Sequence, residues 1–139
     1  MHVLPCGHIK NQMLKDIENR HDIELLIRSF YDKVIKDDTI GYIFNDVAKV
    51  DWDTHLPIMF NFWENVIFNV GTYRGNPMQL HKELNAKEPL TPGHFKQWLA
   101  LFTATVDELF AGPKAELAKQ RALSIATMIQ VKIAQQTVI

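Results

Sequence analysis

The stretch Asp51-Trp-Asp-Thr-His55-Leu-Pro57-Ile-Met59-Phe-Asn-Phe62-Trp63-Glu-Asn-Val66-Ile67, with Gly71-Thr-Tyr-Arg-Gly75-Asn-Pro77-Met-Gln-Leu80-His81-Lys82 behind it, decides how the chain is read. His55, Met59, Phe62, Trp63, Val66 and Ile67 recur at intervals of three and four, so in a helix they share one face that is wide, aromatic and polarisable. The glycines and proline after residue 70 break that helix, and His81 follows on a short segment. Two imidazoles joined through such a break can face each other across a slot.

Working outward, Asp22 reads as an N-cap or first-turn acid ahead of Ile23, Leu26, Ile27, Phe30, Tyr31 and Val34, a helical stripe that should end near Asp37 and Asp38. Residues 39–45 read as a short turn of helix closing a corner at Phe44. The second helix spans Trp52 to Asn69; Pro57 is tolerable in it if Thr54 caps a first turn, or if the helix kinks. Gly71, Gly75, Pro77 and Pro89 predict that residues 70–90 are mostly irregular, with at most a turn or two of helix before His81. Thr91-Pro92 has the pattern of an N-cap followed by proline at the first helical position. That helix carries Phe95, Trp98, Leu99, Phe102, Val106 and Leu109 on one face and stops at Gly112-Pro113. A last helix from about Lys114 to Gln135 presents Leu117, Ala118, Ala122, Ile125, Met128, Ile129 and Ile133. No run alternates with a period of two, so the class is all-α. The reading is a flexible lead over residues 1–20 and a single domain over 21–139, a length that supports one sizeable core.

The charge balance, fifteen Lys+Arg against sixteen Asp+Glu for a net −1, offers no block of like charge to follow a phosphate backbone, so nucleic acid is not expected as a partner. Cys6 is the single cysteine, which excludes an intrachain disulfide and leaves no tie to an oxidising compartment. It stands near His2 and His8, but two histidines and a thiol at a terminus make a poor metal site. No apolar run approaches the roughly 20 residues that span a bilayer, and the first residues lack a signal-peptide pattern. A cytoplasmic monomer with no membrane partner is expected.

Of the six histidines, His2, His8, His21 and His94 lie at termini or helix starts, where a solvated ring is the default. His55 and His81 stand beside apolar residues, and a neutral imidazole is a good axial donor to a metal. A flat apolar cofactor with a metal at its centre would fit a slot between them. His81 suits the metal, with Leu80 placed to pack under the ring and Lys82 to reach an acidic edge group. Taken singly, each of these residues reads first as surface or ordinary core. Tyr31 and Trp98 shift the balance. Each brings one hydrogen-bond donor to a face expected to be buried, where an unmet donor costs roughly 1–3 kcal/mol, so something polar should meet it: a ligand on a metal, or more ordinarily a structural water or backbone carbonyl.

In order and spacing, five pieces resemble the truncated haemoglobins, most closely their third group. They are Phe30-Tyr31-Asp-Lys-Val34; Gly41-Tyr-Ile-Phe44-Asn45; His55 followed by Asn61-Phe62-Trp63; Tyr73-Arg-Gly-Asn-Pro77 leading to His81; and Phe95-Lys-Gln-Trp98-Leu-Ala-Leu-Phe102. The resemblance runs from about Ile23 to Ile133. It implies a globin-like, two-over-two helical sandwich around haem b, with His81 as the proximal iron ligand and Tyr31 and Trp98 donating to a bound diatomic on the distal side. It also implies that His55 is the distal histidine of this group, acting as a gate more than as a donor. Phe44 then packs on the haem at the corner, and Trp63 lies beside the macrocycle. Met59 stands where the group more often has isoleucine or leucine. Phe62, Phe95 and Met128, from the apolar faces, complete the expected cofactor contacts.

The function so implied is binding of O2, NO, CO or a related diatomic at a histidine-ligated iron. One alternative is a haem-dependent redox enzyme acting on nitric oxide or peroxide. It would need an external reductase partner, since the chain carries no flavin or nicotinamide fingerprint. A haem-free helical interaction module is the other, with every aromatic above serving as plain core.

Overall fold

Helix α1 (Arg20–Val34) begins three residues after Ile17, an isoleucine 2% exposed in the core. The coordinates are a computed structural model, and they describe residues 13–71, 73, 75 and 77–137, without the side chains of 77–80 and 136–137. After α1 come a π-helical turn (Ile43–Val47), α2 (Trp52–Phe68), α3 (Pro77–Lys87), α4 (Pro92–Leu109) and α5 (Pro113–Thr137), with no strand among the described residues. Helix α1 packs on α2 and α4, and α5 packs on α4, α2 and α3. The four long helices α1, α2, α4 and α5 therefore pack around one core, and α3 packs on α5.

The cap of α1 is Asn19, whose side chain accepts from the Asp22 N–H at 3.0 Å. Asp22 is thus a first-turn acid, one of the two roles its position allowed. It is also buried, held by the Lys15 ammonium and by the Glu18 N–H at 2.9 Å. Burial pushes the Asp22 carboxyl up, but these two donors outweigh it and leave it below the ordinary carboxylate range. Ile17 and Lys15, from the stretch before α1, are thus joined to the helix that follows. Residues 1–12, including Cys6, His2 and His8, lie outside the described residues.

The corner after α1 needs Gly41, because a Cβ there would lie 3.1 Å from the carbonyl oxygens of Val34 and Ile35. It continues into the π turn, with Ala48 N–H donating to Ile43 O at 2.7 Å, a wider coil than the single helical turn expected from residues 39–45. Helix α2 is capped by Asp51 rather than Thr54, so Pro57 falls inside it and the Asp53 carbonyl lacks its helical donor. Residues 77–87 correct the expectation of an irregular connection: Pro77 opens an eleven-residue helix. Proline at a first helical position starts a helix as readily as it breaks one, and Leu84 beyond it packs against the core.

The core centres on Phe102, which is 0% exposed. Its ring stacks on Trp63 (4.6 Å between centroids) and Trp98 (5.8 Å) and meets Phe30 edge-on (5.1 Å). One side chain from each of α1 and α2, with Trp98 of its own helix, therefore converges on a single residue of α4. A second cluster of Phe95, Ala126, Ile129 and Ile133 joins α4 to α5.

Candidate functional site

Tyr31 projects from the last turn of α1 and is 7% exposed. Its ring lies 4.9 Å from Phe30, 5.0 Å from Trp52, 5.5 Å from His55 and 6.0 Å from Phe44, centroid to centroid. Burial pushes its hydroxyl far above the ordinary tyrosine value, so it stays protonated and remains a donor across the working pH range. The π turn delivers Phe44, stacked on Trp52 at 6.2 Å. The first turn of α2 delivers Trp52 and His55, three residues apart on one face.

His55 is the one buried polar orphan among the described residues: its Nε2 has no hydrogen-bond partner. Burial lowers its basicity, and the charge of His81 lowers it further, which places the two imidazoles within electrostatic reach of each other. A neutral ring with a vacant nitrogen inside an aromatic wall is an unusual thing for a fold to leave without a partner.

Trp98 is half-buried, edge-on to Phe30 at 5.6 Å, so Phe30 touches both the Tyr31 ring and the Trp98 ring. Met59 and Phe62 are half-buried along the same side of α2, and Phe62 meets Tyr73 edge-on at 5.0 Å. Beyond them opens a cleft of about 320 Å³ between α2 and α5, lined by Phe62, Val66, Ile125 and Met128 among others. Met128 is 58% exposed at its mouth.

Other expected residues sit apart from this group. Trp63 is fully buried against Phe102, and Phe95 belongs to the second cluster with Trp98 packed on its rim. Lys82 is half-buried on α3 beside His81, and the Leu80 side chain lies outside the described residues.

His94, expected to be solvated, is built into the start of α4. Its Nδ1 accepts from the Thr91 N–H at 3.1 Å while the Thr91 hydroxyl accepts from the His94 N–H at 3.3 Å, a reciprocal cap. With Nδ1 accepting, the proton sits on Nε2, which donates to Tyr42 Oη at 3.2 Å; Tyr42 in turn donates to Glu88 Oε2 at 3.1 Å. The chain of bonds ties the end of α3 to the π-turn corner and to α4. Trp52 also went unnoticed in the sequence, although its place three residues before His55 was a usable signal.

Four long helices around one core, with an aromatic-walled gap between the first two and a histidine on the short α3, define a globin of the shortened two-over-two kind. Over 115 residues the chain is 31% identical to a group 3 truncated haemoglobin of Campylobacter jejuni, covering 81% of this chain and 88% of that one. Its fold matches the crystal structure of a group III truncated haemoglobin from Campylobacter jejuni with a TM-score of 0.76 at 30% identity, covering 87% of this chain and 95% of the other. No family model matches the sequence. The protein belongs to the group 3 truncated haemoglobins, and haem-based ligand binding is the function that membership supports. Among the described residues no helix is long and apolar enough to cross a membrane.

Proposed function

We propose that the protein holds haem b with His81 as the proximal iron ligand and binds O2, NO or CO on the side of Tyr31, His55 and Trp98. The observation that carries this reading is the buried, unpartnered Nε2 of His55, set among aromatic rings with His81 near enough to depress its basicity. A large apolar group between the two histidines would meet the exposed sides of Phe62, Met59, Phe44 and Met128, with Lys82 placed for an acidic edge group. The cofactor, when bound, supplies the iron that coordinates the diatomic.

The protein supplies the surroundings. The Tyr31 hydroxyl and the Trp98 indole N–H donate to a ligand that has gathered negative charge, each worth roughly 1.5–3 kcal/mol in a dry site. His55, neutral and half-buried, narrows the approach. Phe44 and Trp52 pack against the Tyr31 ring and limit the water that reaches it, which strengthens its hydrogen bond to a ligand.

The absorption spectrum of the protein as purified is expected to contain an intense haem band, and His81→Ala is expected to lose that band or change it in the ferrous state. A colourless protein that takes up no added haemin would refute the haem reading, and an unchanged ferrous spectrum of His81→Ala would refute the ligand assignment.

A further inference from the structure

Outside the wall formed by Tyr31 lies a second cleft, of about 340 Å³, between α1 and α2. Arg28, Ser29, Tyr31 and Asp32 form one side, and Trp52 and Leu56 form the other. The exposed charges of Arg28 and Asp32, one turn apart on α1, keep the mouth in water. Its floor is Tyr31, the proposed ligand donor. Between this cleft and His55 stands the half-buried indole of Trp52, which touches Tyr31, His55 and Phe44 together.

We propose that Trp52 is the access-determining residue of the site, a shutter that closes the α1–α2 cleft and sets how fast a diatomic ligand reaches Tyr31 and His55. This rests on the haem reading above. The indole sits at the first position of α2, where the backbone is least tied. Its cap is made by exposed groups, Asp51 accepting from Asp53 N–H at 3.2 Å and from the Thr54 hydroxyl at 3.1 Å. One turn further on, Pro57 leaves the Asp53 carbonyl without its helical donor, so the turn bearing Trp52 is attached to the rest of α2 by a weakened ladder. Just before the cap, Lys49 holds a left-handed backbone, φ 51°, as the chain turns into the helix. Rotation of the Trp52 indole about its own side-chain bonds, at this loosely held turn, opens the cleft toward His55 without disturbing the Phe102 core.

Two rates test the assignment. One is bimolecular CO recombination after photolysis in the haem protein; the other is O2 quenching of the triplet state of zinc protoporphyrin placed in the same protein. The second involves no bond to iron and so ignores the Tyr31 hydrogen bond. Trp52→Ala is expected to raise both by at least about threefold, with Trp52→Phe, which keeps a ring in place, between it and the parent. Ile67→Ala loosens the buried far end of the same helix and is expected to leave both rates within about 1.5-fold. Rates for Trp52→Ala and Trp52→Phe that stay within that margin, or an equal rise in Ile67→Ala, would overturn the shutter while leaving the haem reading intact. Failure of the parent protein to bind either porphyrin would overturn both.

Discussion

Tyr31→Phe removes one hydroxyl and leaves the ring, so the rings around it at 4.9–6.0 Å keep their contacts. What changes is a single donor in a site 7% exposed, whose hydroxyl burial keeps protonated. A hydrogen bond to a charged acceptor is worth roughly 1.5–3 kcal/mol, and each 1.4 kcal/mol is a factor of ten, so O2 should leave roughly 10- to 150-fold faster. The indole N–H of Trp98 remains and holds the loss toward the lower end. CO gathers little charge and should leave at a rate changed by less than about twofold. Stopped-flow displacement of O2 and of CO from the same preparation measures both. An O2 rate raised less than about threefold, or a CO rate raised as much as the O2 rate, would refute the donor role and reduce Tyr31 to a packing residue.

Phe102→Ala, which leaves Trp63, Trp98 and Phe30 facing a void, should cost about 3–5 kcal/mol in urea unfolding; a loss below about 1 kcal/mol would show that the three rings close over the space. Asp22 has a lowered folded carboxyl pKa, so its contribution to stability is present above the unfolded value near 3.9 and is lost as pH falls through the folded one. Unfolding midpoints measured from pH 6 down to the acid limit should therefore fall less steeply below about pH 4 in Asp22→Asn than in the parent, and identical slopes would contradict this. His94→Ala breaks the reciprocal cap of α4 and should lose about 0.5–2 kcal/mol of stability by urea unfolding, a value near zero placing His94 back among solvated residues.

The helices most legible in the sequence were those whose stripes repeat over many turns. Ile23 to Val34 and Phe95 to Val106 declare their buried faces by spacing, and Thr91-Pro92 marks a start through local chemistry alone. Residues 77–87 misled because glycine, asparagine and proline upstream read as punctuation, and a short helix has too few turns for its period to stand out. The cap at His94 was hidden by its residue type: the reciprocal pattern is ordinarily sought in glutamate or glutamine at that position, and an imidazole accepting through Nδ1 does the same work. Around the candidate site, Tyr31, Phe44 and His55 stand out in the sequence by spacing and resemblance, and the Tyr31 ring lies 5.5–6.0 Å from the other two. That Trp63 would turn to Phe102, and that Trp52 would close the wall, depended on how α2 rotates against α1 and α4, which no local pattern encodes.

At the head of α5 the two amide donors that most need an acceptor, those of Lys114 and Ala115, are met by the carboxylate of Asp16 at 2.9 and 2.8 Å. Gly112 leaves the room: a Cβ there would lie 2.6 Å from Asp16 Cγ, and its φ of 144° favours glycine. The longest helix among the described residues is thus sealed by a residue 98 positions upstream, so the cap of its leading turn is a long-range contact and not a local one. During synthesis that clasp forms only after residue 115 has emerged. A version trimmed at its start to residue 20 would keep every helix named here and lose the latch that shuts the last of them.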